Sequence, residues 1–145
     1  MFDKKKIRLN HIKSFKKNHK RVIDFFETIS EILIEKIFDD NRDFKDTNIL
    51  EIGARNDILR KKIFSTGLQP NYFQTCLSEK ILIKNNKKVI SNLNDLVFQK
   101  KNFDFCFSLF SLNCSDNIPL VLKNIYSMLK VNGIFISVFP SDECF

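Results

Sequence analysis

Residues 48–57, N-I-L-E-I-G-A-R-N-D, constrain the fold more than any other stretch of this chain. Residues 48–52 are short, mostly apolar and β-prone. Gly53 permits a backbone conformation that other residues resist, and Ile58, Leu59 and Ile63 then recur at helical spacing. The pattern is a strand that turns on a glycine into a helix. In an open α/β sheet, the turn at the carboxyl end of such a strand is where a nucleotide-like ligand sits. An acid near that end, here Glu51, can hold a charged or hydroxyl-bearing group. An ordinary connection uses the same signals, so the turn alone leaves both readings open.

The rest of the chain can be placed around this unit. Val22, Phe25, Phe26, Ile29, Leu33 and Ile37 share one face of a helix predicted over 19–38, with Asn18 as its candidate cap and residues 39–43 as a polar linker. A helix over 57–65 is expected to stop at Gly67, and 72–77 reads as the second strand. Ser78 is placed to cap a short helix through Ile83, ahead of a brief strand at Val89 and Ile90. Residues 103–110 suit a central strand buried on both faces. Asp116 and Asn117 open a helix with Pro119 in its first turn and with Leu122, Ile125, Met128 and Leu129 facing inward. Asn132 and Gly133 are expected to end that helix before a last strand over 134–139, which Pro140 stops. Five alternations of strand and helix predict a mainly parallel, Rossmann-like α/β sheet of about five strands with right-handed crossovers. So apolar a last strand is an aggregation hazard if left open, which calls for further residues, a helix or a partner chain to cover it.

The length of 145 residues, with 43% hydrophobic composition and sixteen Phe, suffices for one core. Charge divides the chain. Residues 1–21 carry nine Lys and Arg against Asp3, a net of +8 out of a formal +7, so residues 22–145 carry about −1. The expected organisation is a basic arm over 1–21 and a near-neutral α/β domain over 22–145. The arm suits contact with a protein partner or another acidic surface, and a solvated segment reads equally well. Phe2 and Phe15 are too sparse for base stacking, so nucleic acid is not the expected partner. Cys76, Cys106, Cys114 and Cys144 form no C-x-x-C pair, and His11 and His19 both lie in the arm. That spacing argues against a metal centre, a disulfide framework and any Cys-His or Ser-His-Asp catalytic arrangement. No apolar run approaches the ~18 residues that span a bilayer, and the expected location is cytoplasmic.

Several ordered segments resemble one family. Leu50-Glu51-Ile52-Gly53, Thr75-Cys76-Leu77-Ser78, Leu96-Val97-Phe98 followed by Asn102-Phe103-Asp104, Ser111-Leu112-Asn113-Cys114-Ser115-Asp116, and Leu129-Lys130-Val131-Asn132-Gly133-Ile134-Phe135 are together similar to the class I S-adenosylmethionine-dependent methyltransferases. Phe2-Asp3-Lys4 and its basic run resemble, more narrowly, the bacterial relatives of the methyltransferase-like complex I assembly factor, an arginine hydroxylase. The malonyl-carrier-protein methyltransferase is a more distant likeness. The resemblance implies S-adenosylmethionine as cofactor, held by Glu51, Gly53, Ala54, Arg55, Cys76, Leu77, Asn92, Leu93, Ser108 and Leu109. It also implies two further strands that this chain lacks. Four positions depart from the family pattern. Arg55 and Asp57 stand where the family has glycine, Cys76 stands where an acid binds the ribose, and Asn92 stands where an acid faces the adenine. Asp104 matches a structural Asp, and Leu112-Asn113-Cys114 replaces an aromatic "L-H-W". Two functions follow from the resemblance: methyl transfer to an unidentified acceptor, or a catalytically inactive assembly or interaction protein.

Overall fold

The computed structural model describes residues 20–40, 43–81, 83–96 and 98–140, together with residues 3, 5, 6, 9, 10 and 13. The cap expected at Asn18, the arm residues Phe2, Ile7, Ile12 and Phe15, Val97 of the third motif, and Cys144 lie outside the described residues. The helices are α1 (Lys20–Asp39), α2 (Ile58–Ser65) and α3 (Ile118–Met128). The strands are β1 (Asn48–Ile52), β2 (Asn71–Cys76), β3 (Lys88–Ile90), β4 (Phe103–Leu109) and β5 (Leu129–Val138). All pair in parallel in the order β3-β2-β1-β4-β5. The glycine-ended strand is therefore central, with Ile49 beside Tyr72 on one side and beside Phe105 on the other.

Two layers of helices bury the sheet. On one face Ile49, Tyr72, Phe105, Phe107 and Leu109 pack with Phe26, Leu33 and Ile37 of α1 and with Leu59 and Ile63 of α2. On the other, Leu50, Ile52, Phe103 and Cys106 meet Val121, Ile125 and Met128 of α3, together with Leu93, Leu96 and Leu112. Alternation along β1, and along β4 from Phe105 onward, sends successive side chains to opposite layers, whereas Phe103 joins Cys106 in the α3 layer, at the register irregularity before Phe105. Each fully buried Phe or Ile contributes about 1.5–3 kcal/mol relative to leaving it exposed. Asp104 ties the amino-terminal ends of three strands: its Oδ2 accepts from the Asn48 N–H and from Lys130 Nζ, each at 2.9 Å.

Four expectations need correction. Residues 78–81 form a turn instead of opening a helix, because Ser78 accepts the Lys80 N–H on its Oγ at 3.2 Å and the Ile81 N–H on its carbonyl, also at 3.2 Å. That local bonding closes one turn and offers no continuing ladder. Asn132 and Gly133 do not end a helix. α3 stops at Met128, and β5 begins at once with Leu129. The extra residues are absorbed by a register irregularity between the Phe103–Leu129 and Phe105–Ile134 pairs, with Asn132 at φ 63°. Leu122 is 42% exposed, and Val121 takes its expected inward place. In α1, Val22 and Phe25 lie toward solvent and Ser30 is inside, bonding back to the Phe26 carbonyl at 2.6 Å.

Candidate functional site

The carboxyl ends of β1, β2 and β4 meet at the turn that follows Ile52. Gly53 has φ 68°, its N–H donates to Thr75 Oγ1 at 2.8 Å, and the next N–H, of Ala54, donates to the Thr75 carbonyl at 2.7 Å. A Cβ at Gly53 would stand 2.5 Å from the Ser111 Cβ, so the glycine is required by the chain's own close approach. Ser111 Oγ donates to the Ile52 carbonyl at 2.8 Å and lies 2.7 Å from Ser108 Oγ. These bonds lock the turn after β1 to the turn after β4. They also occupy the Ser108 hydroxyl inside the protein.

Arg55 crosses between the same two turns. Its Nη2 donates to the Phe110 carbonyl at 2.5 Å, while its Nε is buried without a hydrogen-bond partner among the described residues. Burial lowers the guanidinium pKa, and the neighbouring Cys114 opposes that shift. Phe110 has φ 53°, a conformation few non-glycine residues take, and its N–H donates to the Val138 carbonyl at 2.7 Å. Its ring meets Phe25 and Phe26 of α1 at centroid distances of 5.3 and 6.0 Å. Phe110, whose carbonyl Arg55 holds, thus belongs to an aromatic cluster built by α1 and the end of β4 and not by residues 112–114.

Glu51 is 3% exposed, and its Oε2 accepts from the Tyr72 hydroxyl and from Gln74 Nε2, both at 2.9 Å. Desolvation outweighs these bonds and pushes its pKa up to about 7. The adjoining Asp57 and Arg60 form an ion pair in the first turn of α2. Burial also raises Tyr72.

The remaining sequence candidates divide by burial. Cys76 is fully buried, its thiol donates to the Ser78 carbonyl at 3.6 Å, and burial pushes its pKa up. Leu93 and Leu109 are buried, Leu77 is half-buried, and Asn92 is exposed with its Nδ2 3.4 Å from Asp95 Oδ2. Gly53, Ala54, Arg55, Ser108 and Leu109 are drawn together by the joined turns, whereas Glu51 is held among β2 side chains. Sequence reasoning missed Thr75, Ser111, Phe110 and Phe25. Ser111 and Thr75 stand in motifs already noted, yet no local signal distinguishes a hydroxyl that will bond across 22 or 59 residues.

The donor set can be tested against S-adenosylmethionine. The orphaned Arg55 Nε–H fits the carboxylate of its amino-acid end, and Leu93 and Leu109 offer apolar walls. The ribose end fits less well, since a buried thiol stands where a carboxylate would accept two hydrogen bonds.

A sequence model of a family described as a methyltransferase domain matches residues 50–137. The mouse mitochondrial arginine-hydroxylase NDUFAF5 is 25% identical over 128 residues, covering 82% of this chain and 36% of that protein. The chain thus spans about a third of that relative's length. Among solved structures, the PH0226 protein from Pyrococcus horikoshii OT3 superposes with a TM-score of 0.68 at 19% identity, over 84% of this chain and 59% of that one. A Haemonchus contortus phosphoethanolamine N-methyltransferase, in complex with phosphomonomethylethanolamine and S-adenosylhomocysteine, gives 0.54 at 15% identity, over 68% and 27%. At these identities the structural likenesses speak for the fold alone.

Proposed function

Because the chain belongs to the class I S-adenosylmethionine-dependent methyltransferase family, we propose that it binds that cofactor where the turns after β1, β2 and β4 meet, and that it directs methyl transfer to an acceptor there. The single observation that carries the reading is the pair of locked turns, with the Arg55 guanidinium bridging them and its Nε–H unpartnered among the described residues. When bound, the cofactor supplies an electrophilic methyl group on a sulfonium. Arg55 holds the carboxylate, Leu93 and Leu109 exclude water beside the nucleoside, and Asn92 offers an amide oxygen to the base. Methyl transfer asks mainly for orientation and a dry site, so a missing general base does not count against it. The Phe25 and Phe110 rings give the acceptor side an apolar wall.

A second reading is an assembly or interaction protein that has kept the fold and lost catalysis. Cys76 favours it, because a thiol turned to the Ser78 carbonyl leaves the ribose hydroxyls without an ionised acceptor. Titration calorimetry and thermal unfolding with S-adenosylmethionine decide between the two. Binding with a Kd below about 1 mM and a rise in the unfolding midpoint support the first reading. A folded chain that shows neither response overturns it in favour of the second.

A further inference from the structure

Resting on the cofactor reading above, we propose that Arg55 makes this site a reader of the ligand's α-carboxylate, so that the amino-acid end and not the ribose is the main anchor. The guanidinium is positioned from within the protein. Its Nη2 is held by the Phe110 carbonyl at 2.5 Å, and Phe110 is itself fixed by its N–H bond to the Val138 carbonyl at 2.7 Å. That leaves Nε–H buried and, among the described residues, unpaired, which is costly for a charged donor and is relieved by an incoming carboxylate. A guanidinium edge meets a carboxylate in a planar, directed geometry that a lysine does not reproduce. At the opposite end, Cys76 is 0% exposed, and its thiol is engaged with the Ser78 carbonyl. The strong contact has moved from one end of the ligand to the other.

The test compares S-adenosylhomocysteine with 5′-methylthioadenosine, which has the same nucleoside and lacks the amino-acid end, by calorimetry on the full chain. S-Adenosylhomocysteine should bind about 10- to 100-fold more tightly, the range set by one charge-assisted contact. Arg55→Gln should abolish that advantage by weakening S-adenosylhomocysteine and leaving 5′-methylthioadenosine unchanged, while Arg55→Lys restores part of it. Circular dichroism establishes that each variant folds, and the lysine variant carries the comparison if the glutamine one does not. Equal affinity of the two ligands for the unaltered chain, or a preference that survives both substitutions, overturns the carboxylate anchor and leaves the cofactor reading standing. If the folded, unaltered chain binds neither ligand, both are overturned.

Discussion

At the scale of single residues, Glu51 is the side chain whose environment differs most from the one its motif suggests. It lies in the signature of the glycine turn, yet it is 3% exposed and its bonds go to Tyr72 and Gln74. Its pKa rises from 4.5 to about 7, so between those values the folded chain binds more protons than the unfolded one. Stability therefore falls as pH rises through that window and levels off above pH 7. Glu51→Gln keeps the shape and removes the ionisation. Its stability relative to the unaltered chain should climb by up to about 3 kcal/mol across the window. Urea unfolding at about pH 5 and about pH 8 checks this, and a difference that stays constant with pH would contradict the buried-acid account.

At the scale of elements, α1 shows how an amphipathic pattern becomes a seam. Buried Phe26, Ser30, Leu33 and Ile37 recur at four- and three-residue steps, and they seat the helix against β1 and β4. Leu33 is 2% exposed, so Leu33→Ala should cost about 2–5 kcal/mol in a denaturant titration through lost burial and a residual cavity. Its neighbour Ile32 is 48% exposed, and Ile32→Ala should stay within about 0.5 kcal/mol. Similar losses from the two variants would mean that α1 packs through a different face. The same helix carries Phe25 and Phe26 to the Phe110 ring, so its seating also sets the surroundings of the residue whose carbonyl holds Arg55.

At the scale of the whole molecule, the parallel sheet ends at β5, whose side chains are all half-buried or exposed, with Val131 80% exposed. Edge strands of this kind pair with other chains unless charge or cover prevents it. Val131→Lys should raise the protein concentration at which light scattering grows and leave the unfolding midpoint within about 0.5 kcal/mol of equivalent stability. An unchanged scattering threshold would place association elsewhere. Local chemistry alone made most of this architecture legible: the apolar run became an interior strand as far as Leu109, Gly53 adopted its left-handed turn, and Asn117 capped α3 through the Leu120 N–H at 3.1 Å. The extra length between α3 and the last paired residues misled the reading, because Asn132-Gly133 closes a turn as readily as it relieves a strand, and only pairing with β4 chooses. The candidate site was legible as a set of strand ends, since hydrophobic period and turn residues act over a few positions. What Arg55 touches was not, because its partner Phe110 lies 55 residues away, and only the packing of β1 beside β4 brings a guanidinium, a strained carbonyl and three phenyl rings together.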